Sequence, residues 1–240
     1  MTIKKIPSAF QMLLISLIIA ILMLSLLFLS QLVNRSNRQP MVTWNESPIT
    51  VIIDAGHGGE DGGTSGENGV LEKELNLDLA KRVNELFKAA GINTVMTRDE
   101  DRLLYDPLSD YKGRKKILDM QERLRIASKH DNAIFISIHM NSFPEKKYSG
   151  LQVYYSNNNT DSERIANAVQ KTTAFYLTPA NDRKIKIGKD IYLLDRLHIP
   201  ALLIECGFLS NPEECARLST EEYRNELAFW IFYAVIAEIQ

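Results

Sequence analysis

The chain has 240 residues with 28 basic and 30 acidic side chains, and its formal net charge at neutral pH is −2. Four basic residues and no acidic ones lie in the first forty positions, which leaves 24 basic against 30 acidic in the remainder. This acidic remainder argues against a nucleic-acid-binding protein, whose binding surface would be basic. The two cysteines, Cys206 and Cys215, are too few for a disulfide framework and lack a Cys-x-x-Cys zinc spacing.

The N-terminal segment is strongly apolar. Residues 12–33 are almost all Leu, Ile, Met, Phe and Ala, and about 20 such residues in a helix span a bilayer core. The run is longer than an ordinary signal-peptide core, and no Ala-x-Ala-like cleavage site follows it. We therefore predict a transmembrane signal anchor at residues 1–34, with a cleaved signal peptide as the alternative, and export in either case. Residues 35–46 are polar and predict a linker, and residues 47–240 predict one domain.

Strands and helices alternate along the rest of the chain. Short apolar runs predict strands, and apolar residues at helical spacing predict the helices between them. In chain order the predicted elements are strand 50–54, a helix from Glu72 to a stop at Gly91, strand 93–97, helix 117–129, strands 133–139 and 150–155, helix 162–175, strand 201–205 and helix 223–239. Continuous apolar strands separated by helices of this length predict an α/β fold, with a largely parallel sheet covered on both faces.

Four candidate site residues fall at the ends of these predicted elements. His57 follows the first strand, His139 ends the strand from residue 133, Glu205 ends the last strand, and Glu72 begins the first helix. Active sites of open α/β sheets lie beyond the carboxyl ends of the strands. Topology alone therefore predicts that the four side chains meet at one edge of the sheet.

The residue types at this edge indicate metal chemistry. Two imidazoles and one carboxylate are a ligand set typical of catalytic zinc, with the fourth position open to water. On this interpretation His57, Glu72 and His139 bind the metal, and the chain is a metal-dependent hydrolase. Glu205 is the candidate general acid and base, because its apolar neighbours would desolvate it and raise its pKa. The glycines around His57 would let the backbone pass close to metal and substrate.

Each of these residues also has an ordinary structural interpretation. A single histidine at a strand end is usually a polar cap. Glu72 could be a first-turn acid favoured by the helix dipole, and Glu74 is its rival for the ligand position. The glycine-rich loop could instead cradle phosphate, although it lacks the Gly-x-x-x-x-Gly-Lys-Ser/Thr pattern and contains acids. Spacing alone leaves the choice between Glu72 and Glu74 open.

Five motifs, taken in order, resemble one known family. They are Ile53-Asp-Ala-Gly-His-Gly-Gly, Leu71-Glu-Lys-Glu-Leu-Asn-Leu, Thr97-Arg-Asp-Glu-Asp, Ser137-Ile-His-Met-Asn and Ile204-Glu-Cys-Gly-Phe-Leu-Ser-Asn. Together they are similar to the zinc-dependent N-acetylmuramoyl-L-alanine amidases of the amidase-3 family. The resemblance runs from about residue 50 to the end of the chain.

The resemblance implies a mixed sheet of six strands and one zinc ion per chain, bound by His57, Glu72 and His139. It implies Glu205 as the essential acid and base. It favours Glu72 over its rival, because the carboxylate before Lys73 is the one that matches the family motif. The implied reaction is hydrolysis of the amide between the lactyl group of muramic acid and the L-alanine of the stem peptide in peptidoglycan.

Within the family the chain is most similar to the germination-specific amidases of spore formers. The short N-terminal anchor and the stretches Arg183-x-Ile-x-Ile and Ile191-Tyr-Leu-Leu carry this similarity. It implies action on the spore cortex, where removal of stem peptides allows muramic-δ-lactam to form. It also implies a chain anchored in the membrane and facing the cell wall or the intermembrane space of the forespore, or a secreted chain if the N-terminal helix is cleaved.

Three alternatives stay open at this point. They are a vegetative autolysin or cell-separation amidase of the same family, an inactive wall-binding or regulatory protein on the same fold, and a zinc peptidase that cuts within the stem peptide. Residues 103–118 are predicted to form a wall of the substrate groove or to dock a partner, and a solvated insertion is an equal alternative. The sequence does not show whether an accessory protein is needed.

Overall fold

The structure is a computed structural model that describes residues 17, 21–25, 48–105, 108 and 113–239. Contacts divide the chain into two units, Met1–Glu46 and Ser47–Gln240. In the first unit the described residues are helical. Across the described ranges, no helix is long and apolar enough to cross a bilayer. The predicted anchor and linker lie almost wholly outside the described residues and stay predictions.

A mixed sheet of six strands forms the centre of the second unit. Its strands, in chain order, are β1 (Thr50–Ala55), β2 (Asn93–Met96), β3 (Ala133–Asn141), β4 (Gln152–Tyr155), β5 (Lys186–Ile187) and β6 (Ala201–Phe208). Their order in space is β2-β1-β3-β6-β4-β5. β2, β1, β3 and β6 are parallel, whereas β4 runs antiparallel to β6 and parallel to β5. The predicted α/β fold with a mixed, mostly parallel sheet is confirmed.

Helices lie on both faces of this sheet, as predicted. The helices are α1 (Glu72–Ala89), α2 (Lys115–Ala127), α3 (Thr160–Leu177), α4 (Pro212–Leu218) and α5 (Glu221–Ile239). α1, α3 and α5 pack over one face, in a core that includes Ile53, Ile136 and Ile204. α2 and residues 191–199 cover the other face, over Ile52 and Phe135. The alternation of side chains along each strand supplies apolar groups to both cores.

Two elements were not predicted, and several boundaries differ from the prediction. β5 has two residues and α4 has seven, which is too short for a recognisable hydrophobic period. β6 continues to Phe208, so Glu205 lies inside the strand near its carboxyl end and not at its end. Part of the segment 103–118 lies outside the described residues, and its role stays a prediction.

The two cysteines are free and buried. Cys206 packs into the core beneath α1, α3 and α5, on the face of β6 opposite to its neighbour Glu205. Burial raises the pKa of the Cys206 thiol well above its ordinary value. Because a thiol must ionise to act as a nucleophile, this cysteine serves as a small core residue.

Candidate active site

His57 lies in the loop that follows β1 and has a positive φ of 61°. Non-glycine residues adopt this left-handed backbone rarely. The ring Nδ1 is 3.0 Å from Oδ2 of Asp61, and a carboxylate at this position fixes the orientation of a metal-binding imidazole. Burial alone would lower the pKa of His57, but Glu72 and then Asp61 outweigh burial and raise it.

The structure brings the three predicted metal ligands together. Nε2 of His57 is 3.1 Å from Oε1 of Glu72, and Nδ1 of His139 is 3.0 Å from the same oxygen. One ligand atom from each residue lies within 4.8 Å of the other two. Tetrahedral zinc with bonds of about 2.0–2.1 Å places neighbouring ligand atoms about 3.3 Å apart. The donor set and its spacing therefore fit a zinc ion, whereas the rival Glu74 is exposed on α1.

Glu72 is the first residue of α1 and is almost fully buried. Its Oε2 accepts a hydrogen bond of 2.9 Å from the Thr64 N–H, and its Oε1 accepts one of 3.1 Å from the Met140 N–H. Burial alone would raise the pKa of Glu72, but the hydrogen bonds with His139 and His57 outweigh burial and hold it well below its ordinary value. The carboxylate is therefore charged at neutral pH and held in one orientation, which suits a metal ligand.

Two glycines allow the backbone to approach these ligands closely. A Cβ atom on Gly56 would lie 2.3 Å from the ring of His139. A Cβ atom on Gly63 would lie 2.5 Å from Oε2 of Glu72 and 2.8 Å from Cδ2 of His57. Any larger residue at either position would displace a candidate ligand. The glycine-rich loop thus has the close approach to the site that its sequence predicts.

Glu205 lies on β6 directly opposite His139 of β3. Its Oε2 is buried and has no hydrogen-bond partner among the described residues. Burial raises the pKa of Glu205 to about 7, while the charges of His139, Glu72 and His57 act on it in opposing directions. A carboxyl group with this pKa can both take and give a proton near neutral pH, as a general acid and base must. The cause is desolvation, as the apolar neighbours in the sequence predict.

Arg123 of α2 fixes the loop that carries His57. It is fully buried and donates hydrogen bonds of 2.7 Å to the carbonyls of Ala55 and His57. It also pairs with Asp54 at 2.5 Å and with Asp119 at 2.7 Å. Burial alone would lower the pKa of Arg123, but Asp54 and Asp119 raise it above its ordinary value. This buried ion network explains how the loop keeps its unfavourable backbone conformation.

A second buried arginine, Arg98, holds the same loop from the other side. It donates hydrogen bonds to the carbonyls of Ala55, Gly56 and Lys73, at 2.8, 2.9 and 2.9 Å. Burial and the charge of Arg123 lower the pKa of Arg98 to about 10, so it stays protonated at neutral pH. The motif Thr97-Arg-Asp-Glu-Asp contains Arg98, but no prediction from the sequence gave this arginine a role. Asp54, next to the last residue of the buried strand β1, was a signal in the sequence for a buried cation, and the cation that pairs with it is Arg123.

A cavity of about 310 Å³ opens beside the two histidines. Its polar wall includes His57, Asp61 and His139, and its apolar wall comes from α2, β3 and residues 191–194. Cavities with a few convergent polar groups and a mostly apolar lining are typical ligand sites. The candidate metal-binding side chains are therefore accessible to a substrate.

The comparisons with known proteins agree with this geometry. A profile of the N-acetylmuramoyl-L-alanine amidases (Amidase_3) matches residues 51–237. That range contains all four candidate site residues. The chain belongs to this family. The resemblance that the five motifs predict is confirmed, and the protein is an N-acetylmuramoyl-L-alanine amidase.

Individual relatives match most of the amidase chain. The germination-specific N-acetylmuramoyl-L-alanine amidase of Bacillus subtilis is 32% identical over 222 residues, which are 92% of this chain and 92% of the relative. The CwlD amidase of Clostridioides difficile, solved in complex with the GerS lipoprotein, is 35% identical with a TM-score of 0.76 over 79% of this chain and 98% of that chain. The amidase AmiC2 of Nostoc punctiforme is 30% identical with a TM-score of 0.69, over 81% and 99%.

Proposed function

We propose that the amidase is zinc-dependent and cleaves the amide between N-acetylmuramic acid and the L-alanine of the stem peptide. The observation that carries the proposal is the convergence of His57, Glu72 and His139 beside the buried carboxyl group of Glu205. Two nitrogens and one oxygen leave a position open on a tetrahedral ion, as catalytic zinc sites do.

Glu205 supplies the proton transfers in the proposed mechanism. When bound, zinc supplies a Lewis acid that polarises the amide carbonyl and lowers the pKa of a water. Glu205 takes a proton from the attacking water and gives it to the leaving nitrogen of L-alanine. The water oxygen adds to the carbonyl carbon and the C–N bond breaks, so the products are a lactyl carboxylic acid and a peptide with a free amino terminus. Asp61 keeps the His57 ring oriented throughout.

A muropeptide digest by the purified full chain tests this function. We expect mass spectrometry to find intact stem peptides with an L-alanine amino terminus, a chelator to abolish their release, and added zinc to restore it. We expect His57→Ala to lose zinc, and Glu205→Gln to keep zinc but lose turnover by about 100-fold or more. His198→Ala, at an exposed histidine, is the matched control and should change neither the zinc content nor the turnover.

The alternatives give different results in the same digest. Fragments cut within the stem peptide would identify a peptidase. Peptide release that survives Glu205→Gln would contradict the role of Glu205, and a wild-type chain that releases nothing would favour a non-catalytic wall-binding protein. Stoichiometric zinc in His57→Ala would contradict the ligand assignment.

We also propose that the amidase acts on the spore cortex, so that muramic-δ-lactam can form for germination. Similarity to the germination-specific amidase of Bacillus subtilis over 92% of both chains supports this role. A deletion strain should form spores that lack the δ-lactam. Spores with a normal δ-lactam content would instead favour a vegetative autolysin or cell-separation amidase.

The apolar run at residues 12–33 supports a further part of the proposal, that residues 1–34 anchor the amidase in the membrane with its catalytic unit on the wall side. The complex of the Clostridioides difficile relative with a lipoprotein supports an accessory protein partner. Zinc content and turnover of the purified chain, measured alone, test whether such a partner is required.

A further inference from the structure

Arg183 lies in a groove beside the catalytic edge of the sheet. The groove has a volume of about 670 Å³ and is lined by residues 147–150, by residues 177–183, and by residues at the start and end of α4. Arg183 connects this groove to the site, because it contacts Gln152 at the start of β4, and Gln152 is the partner of Glu205 on β6. Directly opposite residues on neighbouring strands share a face of the sheet.

The guanidinium of Arg183 is held by neutral groups. Its Nε donates a hydrogen bond of 2.7 Å to the Ser149 carbonyl, and its Nη1 donates one of 3.4 Å to Oε1 of Gln152. Its Cζ lies 4.6 Å from the centre of the Phe208 ring. A guanidinium has five N–H donors, so stacking on one face and two hydrogen bonds leave donors at its edge.

The charge of Arg183 is not compensated within the described part of the chain. Two other buried or partly buried arginines pair with acids, Arg123 with Asp54 and Arg224 with Asp78, whereas the buried Arg98 donates to backbone carbonyls. No carboxylate lies within ion-pair distance of Arg183 among the described residues. Glu214, which also lines the groove, instead accepts hydrogen bonds from two backbone N–H groups. A fixed, half-buried cation without an anionic partner is suited to bind an anion from a ligand.

The distance from Arg183 to Glu205 limits where that anion lies. The guanidinium contacts Gln152, and Gln152 pairs with Glu205, so the two charged groups are within about 12 Å. The phenol of Tyr154 lies near both groups: burial and then Glu205 raise its pKa, and Arg183 lowers it. An extended peptide covers about 3.3–3.6 Å per residue, so this distance corresponds to about three residues.

We infer that Arg183 binds a carboxylate of the stem peptide within about three residues of the scissile amide, and so selects peptides that carry this group. The inference rests on the proposed peptidoglycan substrate. In that substrate the lactyl group is already in amide linkage, so a free carboxylate belongs to the peptide. The planar fork of an arginine matches a carboxylate with two parallel hydrogen bonds.

Two substrates test the inference on the zinc-loaded full chain. One is a synthetic N-acetylmuramoyl-L-alanyl peptide with free carboxylates, and the other is the same compound with its carboxylates converted to amides. We expect kcat/KM of the wild type to favour the free acid by roughly 10- to 100-fold, mainly through KM, because a charge-assisted hydrogen bond contributes that much. Arg183→Met should reduce this ratio to near one, with zinc content and melting temperature unchanged.

Arg217→Met is the matched control, because Arg217 lines the same groove and also stacks on an aromatic ring. It should keep the wild-type preference. An equal loss of preference in Arg217→Met would mean that general groove charge attracts the substrate, and would overturn the inference.

Cleavage of the two substrates by the wild type can also overturn the inference, whether or not Arg183→Met folds. Equal cleavage of both substrates by the wild type overturns the inference and leaves the proposed function intact. Cleavage of neither substrate overturns the proposed function itself. A variant that loses the same factor on both substrates would assign Arg183 a purely structural role and contradict the inference.

Discussion

At the scale of single residues, the site combines a buried acid with closely approaching glycines. Oε2 of Glu205 is buried without a hydrogen-bond partner among the described residues, and the resulting desolvation favours the protonated form. Glu72, only a short distance away, is kept ionised by two histidines. Two carboxyl groups with pKa values moved in opposite directions can serve as proton carrier and metal ligand in one site.

The raised pKa of Glu205 predicts a pH-dependent stability of the metal-free chain. Between its ordinary value of 4.5 and about 7, Glu205 is protonated in the folded state and ionised in the unfolded state. The folded state therefore binds more protons, and stability falls as pH rises through this window. Replacement by glutamine should remove this fall. Between pH 4.5 and pH 8 the unfolding free energy of Glu205→Gln should therefore rise by up to about 3 kcal/mol relative to that of the wild type.

Urea denaturation of both metal-free chains at pH 4.5 and pH 8 measures this difference. The expected result is that the two unfolding free energies diverge as pH rises. If Glu205→Gln and the wild type kept the same difference at both pH values, Glu205 would have an ordinary pKa.

Gly56 predicts a separate effect on metal binding. Gly56→Ala would place a Cβ atom 2.3 Å from the His139 ring, so the ring must move away from the candidate site. Displacing a metal ligand should weaken zinc binding by about 10-fold or more. Gly62→Ala, in the same loop, is the matched control, because its nearest neighbour would be a Leu71 methyl group at 3.7 Å. Competition with a zinc chelator measures both affinities, and equal affinities would contradict the prediction.

At the scale of elements, the loop after β1 depends on helix α2, which lies elsewhere in the sequence. Arg123 of α2 donates hydrogen bonds to the carbonyls of Ala55, the last residue of β1, and of His57 in the loop. The same side chain pairs with Asp54 of β1 and Asp119 of α2. These four interactions of one buried side chain therefore connect strand β1, helix α2 and the backbone of His57.

Removing this connection should cost both stability and metal affinity. Arg123→Met leaves Asp54 and Asp119 buried without their cation, and breaking a buried pair in this way costs about 3–5 kcal/mol. Arg125→Met on the same helix is the control, since Arg125 is exposed and pairs with Glu122 at the surface, and little change is expected. Urea denaturation gives the unfolding free energies. A similar small effect of both substitutions would show that the network contributes little.

At the scale of the whole molecule, the catalytic unit and the apolar N-terminal segment have different compositions. The first forty residues have a net positive charge and the remainder a net negative charge. The family profile begins at residue 51, after the predicted anchor and linker. The sheet and its two cores lie within Ser47–Gln240.

Deletion of residues 1–46 tests this division. We expect the remaining chain to be soluble and to retain amidase activity, because both hydrophobic cores and the candidate site lie within it. The full chain should instead sediment with membranes and resist extraction by alkaline carbonate. A full-length chain that does not sediment with membranes, and that alkaline carbonate extracts, would contradict the anchor. A mature protein whose mass is smaller by that of the N-terminal segment would indicate a cleaved signal peptide.

The sequence alone determined the family, the sheet class and the four candidate site residues. Each of these depends on local patterns: apolar runs specify strands, a helical period specifies α1, and strand ends position His57 and His139 at one edge. Burial of Glu205 was also predictable, because its sequence neighbours are apolar.

Only the tertiary structure decided which distant groups support that site. The antiparallel pairing of β4 places Gln152 and Arg183 near Glu205, and the packing of α2 brings Arg123 to the loop that carries His57. A local pattern specifies the conformation of its own segment, whereas these contacts join segments far apart in the chain. They depend on how the strands pair and the helices pack, which a single sequence does not encode in any short stretch.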